Sequence, residues 1–199
     1  MAQLNLYYQT QLETKVSLLP EQITGDIDRH ILENLKRKVD SKSTDNGIVI
    51  RINKLIDYDY GMIDKVHFMG TTSYKVKYEC LLCSPVKDLE MICVVENIVK
   101  GYLISKNGPV YSAIQFANRD FNVFEISGEN IKHIATNKIV KKGDHLKVSI
   151  IDIHNDTDEG NIVAICKLLN LATKAEIKKF DEEQAMIEEH DTNETNEFI

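Results

Sequence analysis

The sequence predicts an α+β protein of two modules, a strand–helix–strand–strand unit followed by a small closed β-barrel. Three observations carry that expectation. Ile23, Ile27, Ile31, Leu35 and Val39 recur every four residues, which lays one apolar stripe along a helix. Five or so short β-rich runs follow Leu89, with glycines at their corners, as in a closed barrel. Pro85 lies between the two patterns; a proline cannot donate to a strand ladder, so it marks a boundary. The expected units are residues 1–86, 87–172 and a helical then acidic, disordered tail over 173–199.

The elements follow in chain order. Residues 3–18, "QLNLYYQTQLETKVSL", alternate as a strand that Pro20 ends. The helix is expected over 23–39. Asp26 and Asp28 suit its positive N-terminal end, and Lys36, Arg37 and Lys38 its negative C-terminal end. That basic trio reads as a solvated helix end before it reads as a nucleic-acid patch. "STDNG" (Ser43 to Gly47) is a turn. Ile48, Ile50 and Ile52 then alternate with Val49, Arg51 and Asn53, so the isoleucines should share one face of a half-buried strand. Residues 60–72, "YGMIDKVHFMGTT", carry large apolar groups without clear period. "SYKVKYECLLCS" is a strand with Tyr74, Val76 and Tyr78 on one face and Lys75 and Lys77 on the other. In the second half come "MICVV", then "YLISKN" between Gly101 and Gly108-Pro109, then "PVYSAIQF". A looped region runs to about Asn137, and the hairpin "KKGDHLKVSIIDIHNDTDEGNIVAI" (Lys141 to Ile165) closes the set. Beyond Lys167 the pattern turns helical before the polar end "EEHDTNETNEFI".

The net charge of −7 is concentrated at one end. Residues 174–199 hold nine acidic and three basic side chains; the first 173 hold 22 and 21, so the body is nearly neutral. A neutral body lacks the global basic field of a strong nucleic-acid binder and leaves room only for a local patch. The acidic tail suits solubility first, or contact with a basic partner. No run of about 18 apolar residues predicts a membrane helix, and the N-terminus has no basic start or apolar core of a secretory signal. An intracellular protein is expected.

Catalytic and metal chemistry find little footing. Cys80 and Cys83 have the spacing of half a zinc site, but no second pair completes it and the pair falls in a strand. With Cys93 and Cys166 they read as reduced thiols serving as small hydrophobes. Asp152, Asp156, Asp158 and Glu159 cluster near the hairpin turn without the spacing of a calcium loop, so a solvated turn is expected. His30, His67, His133, His145, His154 and His190 are scattered, and no phosphate-loop, nucleophile-elbow or metalloprotease pattern occurs. No enzyme, metal or cofactor is expected.

"NIVKGYLISKNGPVYSAI" resembles the opening of the OB-type barrel of ribosomal protein S-one and its relatives. The Lys141–Ile165 hairpin looks like that barrel's closing pair, with Gly143-Asp144 at the turn into its fourth strand and Asn155 to Gly160 before its fifth. The order strand, proline, helix, glycine-led strand, glycine-containing loop and "SYKVKYECLLCSPVKDLEMICVV" is similar to one family over about residues 3–172. That family is the seventh-subunit stalk protein of eukaryotic and archaeal DNA-dependent RNA polymerases, in which a ribonucleoprotein-like tip domain precedes an S-one-type OB barrel. Gly108-Pro109 matches a glycine-proline inside its barrel. The stretch from Ala117 to Asn137 departs from cellular members, and the tip loop lacks their usual proline. With 20 Lys against 4 Arg, which hints at an AT-rich genome, these departures point to a diverged copy such as a large DNA virus would carry.

The resemblance implies a non-catalytic subunit. It would dock through the tip onto the large polymerase subunits near the clamp, beside a helical fourth-subunit-like partner where one exists, and guide nascent single-stranded RNA. The docking candidates are Tyr60, Gly61, Met62, Ile63, Phe68, Met69 and Gly70, with the glycines supplying conformational freedom. The RNA candidates are Lys100, Tyr102, Lys106, Tyr111, Phe116 and Arg119, with Phe121 a further aromatic candidate for stacking. Stacking on aromatics and phosphate tracking by a sparse basic set imply weak, salt-sensitive, sequence-tolerant binding. For each aromatic, core packing is the competing role. Location would be the nucleus, or a virion or cytoplasmic viral factory for a viral copy. A free S-one-domain factor of translation or RNA decay, and an enzyme with an unrecognised site, stay open as rivals.

Overall fold

The computed structural model describes residues 5–39, 43–44, 47–63, 70–99, 101–128, 130–156 and 161–188. These are mostly β, with two α-helices among them. The chain divides into two compact units, Tyr7–Ser84 and a second made of Met1–Leu6 with Pro85–Ile199.

The first unit is a helix on an antiparallel sheet. Its strands are β1 (Tyr7–Leu18), β2 (Ser43–Thr44), β3 (Gly47–Tyr58), β4 (Met62–Ile63) and β5 (Thr72–Cys83), in the order β1-β5-β3-β2 with β4 also on β5. Helix α1 (Ile27–Val39) buries Ile31, Leu35 and Val39 against the sheet, with Ile27 packed beside them. Ile23, expected as the first residue of the helical stripe, is 41% exposed and lies outside the helix that forms. Pro20 seeds a 3-10 turn whose last bond runs from the Ile23 N–H to the Pro20 carbonyl, so the α-helix begins only after Gly25. Two contacts fix the helix at its ends: the Tyr58 hydroxyl donates to Asp28 at 2.6 Å, and the Lys38 ammonium donates to the Lys15 carbonyl.

β5 alternates as its sequence predicts, with Tyr74, Val76, Tyr78, Cys80 and Leu82 in the core and Lys75 and Lys77 outside. β3 does not. Three register shifts against β5, at Val49/Arg51, Ile52/Lys54 and Leu55/Asp57, each insert an extra residue. Every bulge resets the pleat, so the core receives Val49, Ile52, Leu55 and Tyr58 at steps of three, and Ile50 is not in phase with Ile52.

The second unit is built on β6 (Glu90–Val99), β7 (Tyr102–Asn107), β8 (Val110–Gln115), β11 (His145–Asp156) and β12 (Asn161–Leu171), which close as β11-β12-β8-β7-β6. β12 runs parallel to β8 and the other neighbours are antiparallel, giving an OB-like barrel. Alternate residues fill it, among them Cys93, Val95, Leu103, Ile114, Leu146, Ile150, Ala164 and Leu168. A hairpin of β9 (Phe124–Ser127) and β10 (Asn130–His133) precedes β11 and buries Phe124 and Ile131.

The Lys-Gly-Asp turn closes the barrel. The Gly143 N–H donates to the Val95 carbonyl and the Val95 N–H to the Asp144 carbonyl, both at 2.9 Å, which prolongs the β6–β11 ladder beyond His145. Gly143 adopts φ +88°, a conformation side chains oppose. The Asp144 carboxylate accepts from the Lys141 N–H at 2.8 Å and from the Lys138 ammonium at 2.6 Å.

Helix α2 (Lys174–Glu188) follows. Thr173 and Glu176 form a capping box: the Glu176 N–H donates to Thr173 Oγ1, and the Thr173 N–H to the Glu176 carboxylate. Phe180 is 7% exposed and meets the His145 ring edge-on at 5.4 Å. The Gln184 amide donates to Asn107 Oδ1 at 2.9 Å, and Lys147 bridges Glu90 and Glu176. The helix thus belongs to the barrel unit, although the sequence pattern set 173–199 apart. The acidic end from residue 189 lies outside the described residues.

Candidate functional site

The outer wall of β7 and β8 gathers three of the six RNA candidates. The antiparallel register pairs Tyr102 with Gln115, Ile104 with Ala113 and Lys106 with Tyr111. The intervening residues Leu103, Ser105, Asn107, Ser112 and Ile114 point inward and are buried, so these three pairs form one outward face. Tyr102 is 49% exposed. The Lys106 ammonium lies 4.9 Å from the Tyr111 ring centroid, a cation over an aromatic face. On the parallel side, Val163 and Ile165 of β12 pair with Tyr111 and Ala113 and continue the wall. An exposed tyrosine beside a lysine held over a second tyrosine offers stacking surface and positive charge together, the elements a single strand needs.

The remaining barrel candidates lie elsewhere. Phe116 is 6% exposed. It continues the inward phase of Val110, Ser112 and Ile114, so its ring belongs to the core and is withdrawn from the RNA-facing set. Arg119 lies past the end of β8. Its Nε donates to the Phe124 carbonyl at 3.0 Å and its Nη1 to the Phe116 carbonyl at 2.7 Å, pinning the guanidinium 4.6 Å from the Phe121 ring. Lys100 lies outside the described residues.

The tip candidates form an apolar edge on the first unit. The Asp59 carboxylate accepts from the Gly61 N–H at 3.1 Å and the Lys75 N–H at 2.9 Å, which turns the chain from β3 into β4. Tyr60, Met62 and Ile63 are then left 105%, 73% and 68% exposed. Gly61 is not a point of freedom. At φ +73° a Cβ would sit 2.6 Å from the Tyr74 ring, so glycine is demanded by close approach. Gly70 lies beside the Pro20 ring. Phe68 and Met69 lie outside the described residues.

The titratable groups are in structural use. The Lys87 ammonium, 2.8 Å from Asp152, holds that carboxyl below the usual range. Asp158 and Glu159 lie outside the described residues. His133 is held between Thr136 and Asn170, and His145 packs on Phe180. All four thiols are free and buried; burial pushes Cys80 and Cys166 up to about 11, and Cys83 and Cys93 up to about 12. Such thiols are poor nucleophiles and poor metal ligands. Among the described residues no three His, Cys, Asp or Glu converge as metal ligands, and no helix is long and apolar enough to cross a membrane.

Sequence reasoning overlooked Lys167 and Ile151, which stand beside Phe121. The period of β12 carried a signal for the first: Ile162, Ala164, Cys166 and Leu168 face inward, so Lys167 must face out.

No family model matches the chain. It is 52% identical, over 199 residues that cover the whole of both chains, to a protein of Acanthamoeba polyphaga mimivirus named as a DNA-directed RNA polymerase subunit.

Proposed function

Because the chain belongs to the family of that viral DNA-directed RNA polymerase subunit, we propose that it is a non-catalytic stalk subunit. In this reading the ribonucleoprotein-like tip is the first unit, docked on the large subunits near the clamp, and the barrel meets nascent single-stranded RNA. Full-length identity to a polymerase subunit is the observation that carries the proposal. Two features support its finer parts. Tyr60, Met62 and Ile63 make a compact exposed apolar edge of the kind that anchors interfaces. The outer β7–β8 wall corresponds to the strand face on which OB folds hold oligonucleotides. Catalysis of RNA synthesis would rest with other subunits, and the assembly would work in the cytoplasmic viral factory or the virion. Whether a helical fourth-subunit-like partner joins it would be read from the same purification.

Affinity purification of the tagged full chain from infected cells tests this reading. The polymerase large subunits are expected to co-purify, and Met62→Asp with Ile63→Asp to abolish their recovery while the protein stays folded. Recovery free of polymerase subunits would refute the stalk assignment and favour a free RNA-binding factor.

A further inference from the structure

The barrel has a second feature suited to a single strand, on wall that the β7–β8 face does not include. A cleft of about 410 Å³ opens between the segment after β8 and the adjoining parts of β11 and β12. Asn118, Arg119, Asp120, Phe121, Ile151 and Lys167 supply its working groups. We propose that this cleft is a base-binding subsite for single-stranded RNA, in which Phe121 stacks a base and Lys167 meets an adjoining phosphate. The inference rests on the barrel being an RNA-contacting part of the protein, and it lengthens the path that RNA takes across it.

Phe121 is both open and oriented. Its ring is 68% exposed, yet it is not loose: the Arg119 guanidinium lies 4.6 Å from its centroid. That guanidinium is itself fixed by two backbone carbonyls, those of Phe116 and Phe124. The ring is therefore held in place by a cation without being buried. An aromatic surface that is oriented beforehand and still open is what base stacking requires, and the arginine adds a cation–π contribution.

Beyond β8 the chain keeps β12 as its neighbour: the Leu168 N–H donates to the Asn118 carbonyl at 2.8 Å, and the Asp120 N–H to the Leu168 carbonyl at 2.9 Å. The cleft is thus contiguous with the outer wall. Lys167 stands two residues past Ile165, the partner of Ala113, and faces outward with it. From β7 across β8 to β12 is two strand spacings, about 10 Å, so one strand of RNA can cover Tyr102 and reach the cleft.

Two cations, Arg119 and Lys167, face one carboxylate, Asp120, one oxygen of which accepts the Asn122 N–H at 2.9 Å. Among the described residues Lys167 makes no ion pair, so its charge is available to a phosphate. Asn118, with an amide side chain, and the apolar Ile151, 44% exposed, also line the cleft. One aromatic, an amide and a small excess of positive charge fit a nucleotide better than the broad apolar area of a protein-docking patch.

The test is fluorescence anisotropy of the full chain with labelled single-stranded RNA of about 4 and about 12 nucleotides, lengths that span the usual OB site sizes. Phe121→Leu keeps an apolar side chain but removes the stacking face. It is expected to weaken the longer RNA about 5- to 10-fold, the lower end for loss of one stacked base at an exposed site, and to leave the shorter one unchanged. Phe121→Tyr should restore wild-type affinity, and Lys167→Gln should flatten the salt dependence by about 0.7 in slope. RNA carrying 5-iodouridine should photocross-link to Phe121. If Phe121→Leu binds the longer RNA like wild type while Tyr102→Ala weakens it, the subsite is refuted and the outer-face reading survives. If the wild-type chain binds neither RNA, both fall together.

Discussion

Whether α2 is part of the barrel or a solvated tail is decided by one side chain. Phe180 is 7% exposed and meets His145 edge-on at an interplanar angle of 80°. Truncation to alanine removes roughly 100 Å² of buried apolar surface, worth about 2.5 kcal/mol at ~25 cal/mol per Å². Loss of the edge-on ring contact adds about 0.5–1 kcal/mol. The expected destabilisation is therefore about 3 kcal/mol, at the low end of Phe→Ala changes in protein cores because the helix sits on the outside and can settle inward. Urea unfolding followed by circular dichroism should show a midpoint lowered by about 1.5 M at a slope near 2 kcal/mol per M. Hydrogen exchange by mass spectrometry should place the loss of protection in β6 and β11. Glu183→Ala is the control. Glu183 lies on the same helix, 42% exposed, 3.8 Å from the Lys179 ammonium, a pair worth less than about 0.5 kcal/mol. If Phe180→Ala shifts the midpoint no more than Glu183→Ala, the helix is not an integral part of the barrel and the packing argument fails.

Three further outcomes are expected. Tyr102→Ala with Lys106→Ala should weaken single-stranded RNA binding about tenfold and lower the salt slope by about 0.7, for one stacked base and one phosphate contact; unchanged affinity by anisotropy would mean that this wall is the wrong one. Gly61→Ala forces a Cβ to 2.6 Å from the Tyr74 ring at φ +73°. It should cost about 1–3 kcal/mol in the first unit and reduce polymerase recovery although no exposed apolar group is removed; a wild-type melting curve would show that the turn is slack. The third concerns alkaline pH. Burial raises all four thiols to about 11 or about 12, whereas an unfolded thiol ionises near pH 8.5. The unfolded chain therefore releases protons first, so stability should hold below about pH 8.5 and fall from there toward about pH 12. At pH 8 a thiol-specific disulfide reagent should label the cysteines only on unfolding, and rapid labelling of the native protein would contradict their burial.

Local period and turn chemistry made much of this fold legible. A four-residue step marks the stripe of α1, because side chains one turn apart share a helix face whatever lies beneath. A two-residue step marks β5 and would have placed Phe116 inside, since it follows Ile114 in phase. Thr173 and Glu176 announce the start of α2 through a capping box that needs no partner beyond three residues. The aromatic and basic residues of the β7–β8 wall were nameable for the same reason: Tyr102, Lys106 and Tyr111 are outward by alternation once the strands are found.

What sequence period could not supply was every consequence of pairing between distant segments. The three bulges of β3 exist only in its register against β5, and they move the core-facing residues from steps of two to steps of three. Phe121 and Lys167 lie 46 positions apart in the numbering, and they share a cleft because the chain beyond β8 runs beside β12. By itself the amino-acid order determined the stripe of α1 and which face of a regular strand is apolar, since those follow from local geometry; it ran the last helix back over residues that β12 takes up to Leu171. Tertiary structure alone decided the register of β3, the docking of α2, and which exposed side chains meet, because each depends on contacts whose partners local periodicity does not encode.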